Sequence, residues 1–220
     1  MSGWWLQDYY AIGGLALVVS WAFWVIFSIT LHELAHGWAA IWQGDDTPIR
    51  LQRMTMNPLV HMGGMSLLMF VVIGIAWGAM PVDPSKFRWG RRGNAVVAAA
   101  GPAMNLLLAF FALTAGALWI HYGPSVEPLR GNVSQFLMIG GMLNLVLMVF
   151  NLLPVPPLDG SQILIGLSFR FYRLFQNPQA MMFGMFVILA IFMSGIGGFL
   201  FEGAATLSSR YIAGLSSMLP

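Results

Sequence analysis

The chain has 220 residues, enough for one domain, but its 58% hydrophobic and 8% charged residues are far from a soluble globular composition. Ten Lys and Arg residues stand against eight Asp and Glu, so no basic surface indicates nucleic acid as a partner. No cysteine is present, which excludes disulfides, thiolate ligands and a cysteine nucleophile. Any bound metal must therefore be held by His, Asp, Glu or backbone oxygen.

Apolar runs divide the chain into candidate membrane-spanning helices, each of which needs about 20 residues. Four such runs lie at about 9–43, 93–120, 135–153 and 179–201. A fifth run, 63–80, contains four glycines and ends at Pro81, so it either spans the membrane or forms a re-entrant hairpin. Between residues 154 and 178, prolines and an Arg-bearing helical piece predict a broken helix. We expect a single integral-membrane domain over residues 1–220.

The first run contains the motif H-E-x-x-H, formed by His32, Glu33 and His36. Two histidines four residues apart on a helix stand one turn apart on the same face, a spacing that suits one zinc ion. In this motif the intervening glutamate is the general base for the metal-bound water. An ionisable group at mid-membrane costs at least ~2.5 kcal/mol unless it is paired or ligated. Such groups so close together favour a catalytic metal site over polar residues that merely join helices.

Catalytic zinc takes three protein ligands and keeps one position for water, so a third ligand must come from elsewhere in the chain. The candidates are few: Asp8, Asp45, Asp46, His61, Asp83, His121, Glu127, Asp159 and Glu202. Asp159 differs from the others because it follows a proline-rich stretch, and an interrupted helix is tolerated in a membrane where it lines a cavity. An Asp in a proline turn can also cap a helix, so both roles remain open at this point.

Three motifs in this order resemble those of the site-2 proteases, which are intramembrane zinc metalloproteases, and specifically their small members without a PDZ domain. The motifs are His32-Glu33-x-x-His36-Gly37, Ala100-Gly101-Pro102-x-x-Asn105 and Asn151-x-x-Pro154-x-Pro156-Pro157-Leu158-Asp159-Gly160. The resemblance covers most of residues 25–165, the expected core of the domain. The sequence departs from the small members at Met62-Gly63-Gly64-Met65, where they usually continue with Asp-Pro-Gly.

The resemblance implies a fold, an activity and site residues. The fold is an all-α polytopic membrane protein of about four to six transmembrane helices, with a re-entrant or short β-like segment near the active site. The activity is hydrolysis of peptide bonds within or near transmembrane segments of other membrane proteins, with one Zn²⁺ per chain. Asp159 becomes the third zinc ligand, and Asn151 steadies the substrate or the oxyanion of the tetrahedral intermediate. Further candidate substrate contacts are Asn57, Asn105, Pro154, Pro157 and His61, although a position facing the membrane interface is the preferred alternative for His61.

A single zinc site also restricts the topology, because the end of the first run and Asp159 must lie at one membrane face. Five simple crossings would separate them, so the run 63–80 is expected to make no net crossing. One side then carries Arg50, Arg53, Lys86, Arg88, Arg91, Arg92, Arg170 and Arg173, and the other side carries Arg130 and Arg210. Because cytoplasmic loops are enriched in Lys and Arg, the active site is expected to face the cytoplasm, in the cell membrane of a prokaryote.

Two other classes of function are weighed against the protease. A catalytically silent homologue would act as a binding partner or scaffold, but the full set of catalytic residues argues against it. A transporter would use intramembrane acids and histidines to relay protons or metal, yet the sequence has no inverted repeat. The sequence leaves the substrate and the oligomeric state open. The small size suggests that loops or a separate regulatory membrane protein control access of the substrate.

Overall fold

The computed structural model describes residues 4–175 and 177–220, and every regular element in these residues is helical. The helices are α1 Trp5–Gln43, α2 Thr47–Arg50, α3 Pro58–Ile73, α4 Gly90–Tyr122, α5 Leu129–Asn151, α6 Asp159–Leu167, α7 Phe169–Phe175, α8 Pro178–Met193 and α9 Ile196–Met218. A short 3-10 helix, Pro84–Lys86, precedes α4. The expected all-α class is confirmed.

Three helices, α1, α4 and α5, are long and apolar enough to cross a bilayer. Helices α7 and α8 are bent by 88° relative to each other and would make a fourth crossing if they act as one broken span. The structure therefore supports a polytopic bundle at the lower end of the expected range. The run 179–201 does not form the single helix that we expected. Gly195 adopts a φ of 76°, so α8 ends before it and a new helix, α9, begins after it.

Helix α4 is the centre of the bundle and packs against α1, α5, α6 and α9. Its buried face is rich in small residues, which let neighbouring helices approach closely in a membrane. Small residues allow the same close packing on α5, where the ring of Trp24 from α1 packs against Gly140 and the side chain of Leu113 from α4 packs against Gly141. These contacts bring α1, α4 and α5 together around one polar interior.

Residues 54–83 form a re-entrant hairpin, in which α3 leads away from the end of α1 and residues 74–83 return without regular secondary structure. Both ends of the hairpin lie beside Gly37, because the side chains of Met54 and Met80 pack against it. The far end lies near the start of α1, where the indole nitrogens of Trp4 and Trp5 donate to the Val71 carbonyl at 3.1 and 3.2 Å. The hairpin therefore makes no net crossing, in agreement with the topology expected from the site.

Two hydrogen-bonded positions hold the halves of the hairpin together. The Ala79 amide donates to the His61 carbonyl at 3.0 Å. The Ser66 hydroxyl donates to the Trp77 carbonyl at 2.7 Å and accepts from the Trp77 amide at 2.8 Å. At Gly63, where the sequence departs from the family pattern, α3 bends with a φ of 70°, a conformation that glycine adopts without strain.

Candidate metal centre

His32 and His36 are buried on one face of α1, and each imidazole is fixed from behind through its Nδ1 atom. Nδ1 of His32 donates to Oδ1 of Asn105 at 2.6 Å, and Nδ1 of His36 donates to the Val97 carbonyl at 2.7 Å. Because both partners are acceptors, each Nε2 of a neutral imidazole carries a free lone pair. The two Nε2 atoms face each other at 3.0 Å. This arrangement presents two nitrogen ligands to one point.

Asp159 supplies a third candidate ligand from the first residue of α6. The loop before it turns tightly, with the Leu158 amide donating to the Val155 carbonyl at 2.9 Å. Oδ2 of Asp159 lies 3.1 Å from Nε2 of His32, and Oδ1 lies 3.4 Å from Nε2 of His36. Oδ2 is buried and accepts no hydrogen bond from the described residues. A buried carboxylate oxygen in this position needs a partner, and a cation that also binds the two Nε2 lone pairs would supply it.

The donor set fits zinc. Zn–N bonds of about 2.0–2.1 Å and Zn–O bonds of about 2.0–2.2 Å place tetrahedral donors about 3.3 Å apart. Here the two Nε2 atoms are 3.0 Å apart, Oδ2 of Asp159 lies 3.1 Å from Nε2 of His32, and Oδ1 of Asp159 lies 3.4 Å from Nε2 of His36. Among the residues that the structure describes, His32, His36 and Asp159 are the only group of three or more potential ligands close enough to hold one ion. Two imidazoles and one carboxylate also leave a fourth position for water.

A chain of buried amides supports His32, and most of it was not predicted from the sequence. Nδ2 of Asn105 donates to Oδ1 of Asn144 at 2.9 Å, and Nδ2 of Asn144 donates to the Ser28 hydroxyl at 2.9 Å and to the Gly140 carbonyl at 2.8 Å. Asn105, Asn144 and Ser28 are fully buried. We expected Asn105 to contact the substrate, whereas the structure places it behind His32. The sequence did contain one sign of this contact, because Asn144 is a polar residue in the middle of the apolar helix α5.

Gly101 explains why the central motif needs a glycine next to the histidines. A Cβ atom at this position would lie 2.5 Å from Cε1 and Nε2 of His32 and 2.5 Å from Nε2 of His36. Helix α4 therefore passes directly against the two ligand nitrogens. The motif Ala100-Gly101-Pro102-x-x-Asn105 combines this close approach with the amide that holds His32, at a spacing of one helical turn.

Glu33 is buried on α1 beside the cluster and lies within electrostatic range of all three candidate ligands. The returning half of the hairpin, residues 74–83, covers Glu33 from the other side. A Cβ atom at Gly78 would lie 2.7 Å from Cγ and from Oε1 of Glu33. Only a residue without a side chain fits there. The expected re-entrant segment near the active site is thus the wall that Glu33 faces, although no β-strand is formed within the described residues.

His61 lies in the first turn of α3 and is only 3% exposed, so the expectation that it faces the membrane interface is wrong. Its Nε2 donates to the Thr55 carbonyl at 2.7 Å, and its Nδ1 is buried with no hydrogen-bond partner among the described residues. It interacts electrostatically with Glu33. The carbonyl of His61 also accepts the hydrogen bond from the Ala79 amide. His61 therefore connects residues 74–83, which cover Glu33, to the start of α3.

The structure does not bring the remaining predicted site residues into contact with the ligand cluster. Asn57 caps α3 by accepting from the Leu59 amide at 3.0 Å, which is a local structural role. The side chain of Asn151 donates to the Leu147 carbonyl of its own helix at 3.0 Å. Pro154 and Pro157 are exposed in the loop that leads to Asp159.

Asp45 anchors the returning end of the hairpin to the end of α1. Its fully buried carboxylate accepts from the Thr47 amide at 2.9 Å and from the Asp83 amide at 2.7 Å. The Lys86 ammonium lies 3.6 Å from it. Burial raises the pKa of the Asp45 carboxyl, but the hydrogen bonds from Thr47 and Asp83 and the charge of Lys86 outweigh it and hold this pKa below its usual range.

Comparisons with known proteins identify the family. The sequence profile of peptidase family M50 matches residues 115–195, which include α5, the proline-rich loop and Asp159. The protein YwhC of Bacillus subtilis, provisionally named a zinc metalloprotease, is 37% identical over 177 residues, covering 80% of this chain and 80% of YwhC. The chain belongs to peptidase family M50. Rip2 of Mycolicibacterium smegmatis, named in the same way, is 30% identical over 155 residues, covering 68% of this chain and 56% of Rip2.

Membership of the M50 family, the site-2 proteases, makes this protein a zinc metalloprotease with Zn²⁺ as its cofactor. The apolar helices make it a multi-pass membrane protein. Of the three classes weighed from the sequence, the family supports the enzyme and gives no support to the scaffold or the transporter. No solved structure matches the chain significantly.

Proposed function

We propose that this M50 peptidase cleaves transmembrane segments of other membrane proteins, at a zinc ion held by His32, His36 and Asp159. The observation that carries the proposal is the convergence of two Nε2 atoms, 3.0 Å apart, with the Asp159 carboxylate, whose two oxygens lie 3.1 and 3.4 Å from them, inside an apolar bundle. A peptide bond can reach such a centre only by entering the bundle itself. Residues 1–220 act as one catalytic domain, with its core at about 25–165.

A zinc ion in this position supplies the Lewis acidity that makes water a nucleophile near neutral pH. Glu33 acts as the general base, accepting a proton from the attacking water and donating it to the leaving amide nitrogen as the C–N bond breaks. Asn105 and the Val97 carbonyl keep the imidazoles in the tautomer that leaves Nε2 free. The close packing of Glu33 against Gly78 restricts the conformations that this base can adopt.

The predicted site residues that lie outside the ligand cluster act on the substrate side of the site. Asn151, at the end of α5, steadies the substrate or the oxyanion after its amide leaves the Leu147 carbonyl. Pro154 and Pro157 line the approach to Asp159. His61 holds the wall formed by residues 74–83. Because helical peptide bonds are shielded, the substrate helix unwinds locally at the cut site, so helix-destabilising residues are expected there.

The enzyme lies in the cell membrane with its active site towards the cytoplasm. The ends of α1, the hairpin and α6, and the start of α4, lie together at one end of the bundle, and eight basic residues belong to this end. The opposite end carries Arg130 and Arg210. The positive-inside rule makes the first end cytoplasmic. A separate membrane protein that regulates access to the site fits a domain of this size.

The decisive test is cleavage of a reporter with one transmembrane helix by the protein reconstituted in liposomes, with cut sites located by mass spectrometry. We expect a cut within or next to the helix, faster when Gly or Pro residues replace Leu near the cut site, and no cut by Glu33→Gln. Cleavage confined to soluble loops, or equal cleavage by Glu33→Gln, would overturn the proposal.

A further inference from the structure

A groove of about 800 Å³ lies on the outer surface between α4 and α6, the helices that carry Gly101 and Asp159. Its walls are apolar and include Val96 and Ala99 on α4 and Ile163 and Leu167 on α6. Trp89 and Arg92 stand at the end nearest the start of α4. From Arg92 to Ala99 the groove follows α4 for about 10 Å, at 1.5 Å per residue. The groove thus has one apolar part within the bilayer and one charged, aromatic mouth.

The charge at the mouth is positive and lacks an acidic partner. Arg92 forms no ion pair with any carboxylate in the described residues, and neither do Arg91 and Arg173. The guanidinium groups of Arg91 and Arg173 lie 5.5 and 4.6 Å from the ring centre of Phe169, just beyond Leu167. The carboxylates of Asp45 and Asp46 at this end of the bundle are paired with Lys86 or Arg50. The patch therefore offers unpaired positive charge to an anion from outside the chain.

We propose that this groove binds one anionic phospholipid, with its phosphate against Arg92 and an acyl chain along Val96, Ala99 and Ile163. The ligand must join an apolar tail to a negative head at the depth where Trp89 marks the membrane interface, and an anionic phospholipid has this form. A zwitterionic lipid would bring a second cation to the arginines. A substrate helix would need its own acid at this position to satisfy Arg92.

Lipid in the groove acts on the metal centre through α6. This helix of nine residues carries Asp159 at its first position and Leu167 at its last. It is tied to α4 by Asn94, whose Nδ2 donates to the carbonyl of Gln162 at 3.2 Å and to its Oε1 at 3.4 Å. A lipid that contacts both α4 and α6 adds a second connection between these helices and holds the Asp159 carboxylate close to the imidazoles of His32 and His36. The lipid site thus stabilises zinc binding without touching the ion.

Native mass spectrometry of the full chain with phosphatidylglycerol and phosphatidylcholine tests the site. Near a membrane surface one arginine changes the affinity for an anionic lipid about fivefold. We expect one retained phosphatidylglycerol, preferred about fivefold over phosphatidylcholine, and loss of this preference in Arg92→Gln. Arg210→Gln, an exposed arginine on α9, is the matched control and keeps it. Ala99→Phe, which fills the groove, releases the bound lipid, with thermal melting checking that each variant folds.

Two further measurements separate the lipid from other occupants. A photoreactive residue at Val96 is expected to label phospholipid, and labelling of a reporter substrate instead would overturn the proposal. The rate of zinc loss to a chelator is expected to be slower in phosphatidylglycerol than in phosphatidylcholine, with no difference for Arg92→Gln. Equal retention of both lipids by the wild type, or an unchanged preference in Arg92→Gln, would also overturn it.

Discussion

Replacement of Gly101 by Ala tests the packing of α4 against the histidines. The new methyl carbon would lie 2.5 Å from Nε2 of His32 and from Nε2 of His36, whereas carbon atoms prefer separations of about 3.5–4.0 Å from neighbouring heavy atoms. The overlap of about 1 Å has no simple relief. Each ring is held at its Nδ1 by a hydrogen bond of 2.6 or 2.7 Å, so a ring that retreats must break that bond.

The opposing energies decide where the effect will be seen. In a helix interior, Gly→Ala alone stabilises by about 0.5–1 kcal/mol. A buried donor or acceptor left without its partner costs about 1–3 kcal/mol. The change in folding stability should thus be small, between about 0 and 2.5 kcal/mol of destabilisation. Zinc binding should suffer more, because losing one supporting hydrogen bond behind a ligand lowers metal affinity about 10–100-fold, and the new methyl group also lies against the nitrogen of the second ligand.

The assay is competition for zinc between the purified protein and a chelator of known affinity. The matched control is Gly203→Ala on α9, where a Cβ atom meets no other atom within 4 Å. We expect Gly101→Ala to lose zinc at a chelator concentration at least about tenfold lower than the wild type, and Gly203→Ala to behave like the wild type. Wild-type zinc affinity in Gly101→Ala would refute the packing of α4 against the ligand nitrogens.

Three more predictions follow from the same contacts. Asn105→Ala frees Nδ1 of His32 and should lower zinc affinity about 10–100-fold in the same competition assay, whereas the exposed control Asn132→Ala should not. Glu33→Gln should keep one zinc but reduce reporter cleavage by at least about 10²-fold. Asp45→Asn should destabilise the protein by about 1–3 kcal/mol at pH 7, measured by thermal melting. Because the pKa of Asp45 is lowered on folding, its stabilisation is complete above about pH 4 and is lost as the pH falls through the lower folded value.

Each of these predictions has a result that would contradict it. Unchanged zinc affinity in Asn105→Ala would mean that His32 is positioned by other contacts. Loss of zinc in Glu33→Gln would make Glu33 a ligand and not the base. A gap in melting temperature between wild type and Asp45→Asn that stays constant down to pH 2 would contradict an ionised Asp45 in the fold.

The sequence predicted which three potential ligands the structure brings together, because the chemistry limits the choice. A motif on one helical turn fixes His32 and His36 relative to each other, whatever the rest of the fold does. Without cysteine, few side chains in the chain could complete the set. The need for His32, His36 and Asp159 to meet at one face also predicted that the run 63–80 does not cross, because topology and ligand geometry must agree.

The support behind the ligands could not be predicted in the same way. The contact between Asn105 and Asn144 depends on how α4 rotates against α5, which no local pattern determines. The role of Asn151 stays a prediction, and the sequence did not indicate that its amide would donate to the Leu147 carbonyl of its own helix. His61 looked like an interface residue because only the tertiary fold of the hairpin buries it. The break at Gly195 was missed because the apolar composition continues through this position, whereas the helical backbone conformation is interrupted there.

The most direct test of the account is the zinc content of the purified protein, determined by elemental analysis. We expect about one zinc per chain in the wild type, and its loss both in Asp159→Ala and in the double variant His32→Ala, His36→Ala. An Asp159→Ala protein that still holds one zinc with undiminished affinity would contradict the three-ligand centre and require another third ligand.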